Sequence, residues 1–407
     1  MKSFGRFLGS FALYSTIRYN YGNFLRNISM RRPFREHHLL QILFAFEKQT
    51  LPLDVFLRHY FQIHKAVGSK DRKEICETIY GMIRWRSLLD HIAKKPLHWE
   101  NRLAAYQTFS PQDYRDNLSI PPHIRASFPG PFYELLCDAL GEEKAFEFCL
   151  VCNQPAPTTV RANLLKTTRE ALLDKWQGQY KISSCKYSSS GIRFEEKINF
   201  FATEEFKAGL FEVQDEASQL ISDLIAIQPG ERFLDYCSGS GGKSLAIAPR
   251  LKGRGQLFLH DIRSFALQEA KKRLKRAGIQ NAHPLPFDSP NKNSIKGRMD
   301  WILVDAPCSG SGTLRRNPDM KWKFEEEMIP RIALQQRQIF EEAMTYLKPG
   351  GHIVYATCSV LPQENESQIP HFMDRFPLEQ IGEPLSTFPS AGGMDGFFGV
   401  VFKLKKR

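Results

Sequence analysis

Between residues 35 and 152 the apolar positions recur every three or four residues. Leu39, Leu40, Leu43 and Phe46 form one stripe, Val55, Phe56 and Tyr60 a second, and Ile75, Ile79, Met82, Ile83 and Leu89 a third that opens after Ser69, a residue suited to cap a helix. This spacing predicts an all-helical bundle over 34–152. The pattern then changes to short alternating runs: strands are expected at 158–163, 180–187 and 192–196 with a helix at 167–177, a small α+β module spanning 153–213. From residue 214 onward, apolar strands at 232–237, 255–261, 282–288, 300–307 and 350–358 alternate with helical segments at the spacing of βαβ units. The expected fold class is therefore α/β over 214–407, a doubly wound, Rossmann-like sheet preceded by the helical domain and the α+β module. Ligands of such sheets bind beyond the carboxyl ends of the strands. Asp235, Asp261, Asp288, Asp305 and Cys358 stand at those ends.

Composition narrows the function classes. At 407 residues the chain exceeds one ordinary domain, and no apolar run reaches the ~18 to 20 residues of a membrane span. The formal charge of +12 favours a polyanionic partner through counterion release, although a basic chain can also carry its charge for solubility alone. Eight cysteines lack disulfide-framework spacing, which fits reduced thiols in a cytoplasmic protein. Cys149-x-x-Cys152 has neither a second pair nor a nearby histidine, so buried helix cysteines are expected there and no metal. Residues 1–33 form a basic leader: through residue 35 there are seven Lys/Arg and no acid. A dispensable or mis-assigned start, with Met30 as the alternative, is preferred to an organelle address.

Asp235-Tyr-Cys-Ser-Gly-Ser-Gly-Gly-Lys243 follows a strand and opens a helix. A Walker A loop ending at Lys243 would need glycine at Cys237, and a dinucleotide loop starting at Gly239 would need it at Ser244. Both fail by one residue. The next strand ends in Asp261, where a carboxylate can accept the ribose hydroxyls of a nucleoside. A nucleoside cofactor without a phosphate clamp is indicated, and S-adenosyl-L-methionine has that chemistry.

Val304-Asp-Ala-Pro-Cys-Ser-Gly-Ser-Gly-Thr313 and Tyr355-Ala-Thr-Cys-Ser359 each place a cysteine where a strand breaks into a loop. Free cysteines are often simply buried, but two at ligand-facing ends of one sheet suit thiolate chemistry. Cytosine C5, for example, accepts a methyl group only after a thiolate has added at C6. These segments, the second continuing through Val360-Leu-Pro-Gln-Glu-Asn365, with Arg315-Arg-Asn-Pro-Asp-Met-Lys-Trp322, Lys348-Pro-Gly-Gly351, Gln214-Asp-Glu-Ala-Ser-Gln219 and Asp395-Gly-Phe-Phe398, resemble the successive motifs of the Sun/nucleolar-protein family of RNA cytosine-C5 methyltransferases. Asp71-Arg72 and Gly81-Met-Ile-Arg84 extend the likeness to the helical region, which in the ribosomal RNA subgroup is a NusB-like RNA-binding domain.

The resemblance implies a Rossmann-like class I methyltransferase domain. It implies that Cys237, Ser238, Gly239, Ser240, Gly241, Gly242, Lys243, Asp261, Asp288 and Asp305 contact S-adenosyl-L-methionine. Cys358 is the implied nucleophile and Cys308 its partner in proton removal and product release, with Asp305 also in the catalytic set. The implied substrate is RNA, small-subunit ribosomal RNA, with transfer RNA or a role as an RNA-binding assembly factor as alternatives. A monomer without membrane or metal partners is expected. One departure stands out: the family loop carries proline where this chain has Ser240, and losing that fixed φ loosens the loop by ~0.4 to 1 kcal/mol. After the Pro-Cys loop, Arg315, Arg316, Lys321 and Lys323 surround Trp322, a combination that suits RNA contact, the alternative being a solvated charged loop. The Lys271, Lys272, Arg273, Lys275, Arg276 cluster is expected to be largely surface charge.

Overall fold

The computed structural model describes residues 32–406; the leader expected at 1–33 lies almost wholly outside the described residues. The chain divides into two compact units, one ending at Ile79 and the other running from Tyr80 and also taking in Pro52–Asp54. In the first, helices Phe34–Phe46 and Leu53–Ile63 and the start of Ser69–Arg84 bury Leu39, Leu40, Leu43, Phe46, Phe56, Tyr60, Ile75 and Ile79. The stripes read from the sequence are the buried faces, except that Val55 is only half-buried. His38 Nδ1 lies 2.7 Å from Tyr60 Oη, which gives the one buried imidazole of the first helix a partner.

The second unit continues helically through Arg86–Ile92, Trp99–Gln107, Gly130–Leu140 and Glu142–Cys152. Strand β1 (Thr158–Ala162) then joins β2 (Ile182–Ser184), β3 (Gly191–Phe194) and β4 (Phe211–Val213) in an antiparallel sheet of order β2-β3-β1-β4. Helix Arg169–Trp176 is capped by Thr168, whose hydroxyl accepts from Ala171 N at 3.1 Å, and lays Leu172 and Trp176 onto Phe194 and Phe211.

The principal sheet has seven strands in the order β10-β11-β9-β8-β5-β6-β7. β5 (Arg232–Asp235), β6 (Gln256–Asp261), β7 (Ala282–Pro286), β8 (Met299–Asp305) and β9 (Leu347–Thr357) run parallel. β10 (Leu378–Ser386) and β11 (Phe398–Leu404) complete it antiparallel, β11 inserting between β9 and β10. Both faces of the sheet are buried. Phe233, Leu257, Leu259, Trp301, Leu303 and Val354 pack under helices Glu216–Asp223, Gly242–Ile247 and Ser264–Ala277; their alternates Leu234, Phe258, Ile302, Val304, Ile353 and Tyr355 pack under Met328–Met344 and Gln368–Arg375. The strand order reverses at β5, which has β6 on one side and β8 on the other, so the crevice of a doubly wound sheet opens past Asp235 and Asp305. Among the described residues no helix is long and apolar enough to cross a membrane.

Candidate active site

The glycine loop leaves β5 and turns tightly at Gly239 and Gly241, both with positive φ. A side chain at Gly241 would press on Leu259 and Ala270 at 3.1 and 3.3 Å, so glycine is required there both for φ and for space. Around the loop the carboxylates at the strand ends divide their work. Asp235 is fully buried; its Oδ2 accepts from Ser244 Oγ at 2.7 Å, and its Oδ1 has no partner among the described residues. Burial, opposed by the Ser244 bond and aided by the charge of Asp305, pushes the Asp235 carboxyl up to about 7. Ser238 Oγ is likewise buried without a partner.

Asp261 accepts four bonds, from Gly239 N at 2.8 Å and from Arg263 N, Nε and Nη2 at 2.8, 2.9 and 3.0 Å. Although burial opposes it, the Arg263 and Gly239 bonds hold the Asp261 carboxyl below the usual carboxylate range, so it stays ionised more readily than an ordinary aspartate. Asp305 at the end of β8 takes Lys243 Nζ at 2.5 Å, and burial is outweighed by that carboxylate in raising the Lys243 ammonium. Asp288 does not join this group: it is exposed two residues past β7, with no hydrogen bond to the other site residues among the described residues.

The two loop cysteines meet. Cys308 Sγ lies 3.2 Å from Cys358 Sγ, although fifty residues separate them, because β8 and β9 are parallel neighbours ending side by side. The loops are pinned by the bond from Gly312 N to Cys358 O at 2.9 Å. The two thiols are displaced in opposite directions. Cys358 is lowered, first by the hydrogen bond from Cys308 and then, against burial and Asp305, by Lys243 and Thr313. Cys308 is raised well above an ordinary thiol, by its bond to Cys358, burial and the negative charges of Cys358 and Glu364. Cys237 is also raised, by burial and the three neighbouring aspartates, so it is no rival nucleophile.

A family model described as 16S rRNA methyltransferase RsmB/F matches residues 222–401, and one for a ferredoxin-like domain of the RsmF/B-like methyltransferases matches 128–200. The chain belongs to the RsmB/F methyltransferase family. The ribosomal RNA small subunit methyltransferase B of Proteus mirabilis is 35% identical over 261 residues, 62% of this chain and 60% of that protein. The protein of the same name from Pseudomonas putida is 32% identical over 291 residues, 68% of this chain and 66% of the relative. The chain thus spans about three fifths to two thirds of the length of these curated relatives. Among solved structures, a methyltransferase homolog protein from Pyrococcus horikoshii superposes with a TM-score of 0.60 at 25% identity, covering 73% of this chain and all of that one.

The cofactor of RsmB/F methyltransferases is S-adenosyl-L-methionine, and the residues present fit it. Asp235 Oδ1 and Ser238 Oγ are buried polar atoms awaiting a partner at the mouth of the crevice, and no phosphate-binding loop competes with a sulfonium there. Asp261 can take a ribose diol only if the Arg263 side chain, itself half-exposed, gives up its bonds.

Several residues were misread or missed from the sequence. Arg315 and Lys321 do not face RNA: both are 1% exposed. Arg315 pairs with Asp395 and donates to Ser390 O and Gly393 O at 2.9 and 2.6 Å, while Arg316 bridges Asp395 and Asp215. Lys321 donates to Arg84 O, Ser127 O and Asn153 Oδ1 at 2.8, 2.7 and 2.6 Å, and Trp322 Nε1 donates to Ile83 O at 2.8 Å. In the basic helix, Arg273 and Arg276 are ion-paired with the buried Glu212 of β4. Arg273 also holds Ser240 through its carbonyl at 3.0 Å and its hydroxyl at 2.6 Å. The position that lost the family proline is therefore restrained by a guanidinium. Glu364, buried beneath both cysteine loops, had no signal in the sequence beyond its place in a motif.

Proposed function

We propose that the chain transfers the methyl group of S-adenosylmethionine to C5 of a cytosine in RNA, with small-subunit ribosomal RNA as substrate, through a covalent adduct at Cys358. The observation that carries this reading is the pair of thiols 3.2 Å apart with opposite displacements. Cys358 is shifted toward the thiolate a nucleophile needs by the bond from Cys308, and the Lys243 ammonium, held by Asp305, supplies positive charge toward it. Its sulfur bonds to C6 and the C5–C6 electron pair moves to C5, which would take the methyl group of S-adenosylmethionine, the sulfonium keeping the broken bond's electron pair and leaving as a thioether. Cys308 keeps its proton while the Cys358 thiolate faces it. Once Cys358 is a neutral thioether, the largest cause that holds the Cys308 thiol above its ordinary range is gone, so Cys308 can release its own proton to solvent and, as the thiolate, take up the C5 proton. Loss of that proton restores the double bond and expels the Cys358 thiolate.

The relatives' names support the ribosomal substrate, and a buried cofactor crevice with both cysteines argues for an enzyme rather than a passive assembly factor. The protein is read as acting on RNA as a monomer in the cytoplasm, with Asp288 the weakest member of the cofactor set. Cys358→Ala should form no covalent complex, and Cys308→Ala should accumulate RNA-linked protein that survives denaturing electrophoresis. The double variant should again form none. A complex trapped by Cys358→Ala instead would reverse the two roles, and bisulfite sequencing of RNA from cells lacking the protein would locate the target.

A further inference from the structure

We infer that Glu364 is a positioning residue that fixes the separation of the two thiols, by holding with one carboxylate the residue that follows each cysteine. Glu364 is fully buried. Its Oε1 accepts from Ser309 N at 2.8 Å and from Gln336 Nε2 at 3.1 Å; its Oε2 accepts from Ser309 Oγ at 2.5 Å and Ser359 Oγ at 2.6 Å. Ser309 is the neighbour of Cys308, and Ser359 the neighbour of Cys358. Ser311 Oγ, 2.9 Å from Ser359 Oγ and accepting from Val360 N at 3.0 Å, closes the same network. The carboxylate is in turn fixed from outside the loops: Gln336 also donates to Pro307 O at 3.1 Å, and the Glu364 carbonyl accepts from Tyr355 Oη at 2.7 Å.

The arrangement answers a physical need. Parallel strands β8 and β9 bring the two loops alongside, but their ladder ends at Asp305 and Ala356, before either cysteine. Past that point only loop contacts set the register, and an ångström of drift in a reacting group costs on the order of 100-fold in rate. Glu364 reaches neither sulfur by hydrogen bond, so it works through Ser309 and Ser359. Glutamine can replace it in kind: its carbonyl can keep the Ser309 N and Gln336 bonds, and serine hydroxyls can turn to accept from its amide. Alanine cannot.

This inference rests on the reading that Cys308 and Cys358 are the reacting pair, and three measurements on the full chain separate the two. The first is closure of the Cys308–Cys358 disulfide by diamide, in which two thiol hydrogens pass to the oxidant's N=N bond. The second is the rate of RNA adduct formation in the Cys308→Ala background, and the third is S-adenosylmethionine affinity. Glu364→Ala should slow closure and adduct formation by about tenfold or more while affinity stays within about twofold, and Glu364→Gln should restore both rates to within about threefold. Should Glu364→Ala not fold, Ser309→Ala with Ser359→Ala removes the hydroxyl links and leaves the carboxylate bonded; it should slow both rates in the same direction. Unchanged closure in these variants, or a glutamine variant as slow as alanine, would overturn the positioning role. If no background yields adduct while closure still slows, the nucleophile reading fails and the positioning role stands.

Discussion

Replacing Lys321 by methionine should damage the fold and not the grip on RNA. The ammonium has three donors, and three acceptors meet them within 2.8 Å: Arg84 O, Ser127 O and Asn153 Oδ1. Methionine fills much of the volume but strands all three acceptors in a pocket that also holds Phe128, whose ring centroid lies 4.2 Å from Nζ. Breaking a buried charged network by removing one partner costs about 3 to 5 kcal/mol. The pH dependence gives a sharper handle. Burial pushes the Lys321 amine down to about 7, opposed by Cys149 and Cys152 and aided by Arg84. A lysine lowered by folding is charged in both states below pH 7; above it the unfolded chain holds a proton that the native chain has released, so stability rises with pH. The slope is about 1.4 kcal/mol per unit. Cys149 and Cys152, pushed up by burial, act oppositely once unfolded thiols ionise near pH 8.5. The usable window is therefore about pH 7 to 8.5, where the parent should gain about 2 kcal/mol relative to Lys321→Met. Urea unfolding of both proteins across that window measures the difference directly. A pH-independent difference would show that the amine stays charged, and a variant of parental stability with weakened RNA binding would restore the surface role read from the sequence.

S-adenosylmethionine should bind more tightly as pH rises through 7, because its positive charge favours ionised Asp235, whose free carboxyl sits at about 7; Asp235→Asn should flatten that dependence in calorimetry. Asp261→Ala should weaken the cofactor by roughly tenfold or more, the worth of charge-assisted bonds at ~1.5 to 3 kcal/mol, and unchanged affinity would remove it from the site. Arg273→Ala frees Ser240 and leaves Glu212 with Arg276 alone, so cofactor affinity should fall about tenfold; an unchanged value would mean the loop needs no restraint. Cys358 should be alkylated at lower pH than Cys308, and in Cys308→Ala its midpoint should rise, since the Cys308 bond is the largest cause of its acidity.

Much of this arrangement was legible because its signals are local. Strands buried on both faces must be apolar throughout, so β5, β6, β8 and β9 announced themselves within two or three residues of their observed limits. β10 did not: as an edge strand it exposes Glu379, Gly382, Glu383 and Ser386 and reads as loop. The same locality explains the misreading of Arg315 and Lys321. Charges in a glycine-rich loop look solvated until their partners are known, and Asp395 is eighty residues away from Arg315. Asp261 was placed at the correct strand end, but its bonds to Arg263 depend on side-chain geometry that spacing does not carry. Glu364 is the clearest case, since a lone glutamate after a Thr-Cys loop gives no hint that both cysteine loops converge on it.

The insertion of β11 between β9 and β10 has a consequence for the order of events during synthesis. The strand that flanks Cys358's own β9 is made after β10, which must either wait unpaired or pair provisionally and then part. Arg315 cannot be neutralised, nor Gly312 O accept from Gly396 N, until Asp395 and Gly396 have emerged. The helical segments and the small sheet precede all of this in the chain and can fold as they are translated. A nascent protein therefore completes its helical segments and small sheet first, and the sheet that carries both thiols only when its last strand has been made.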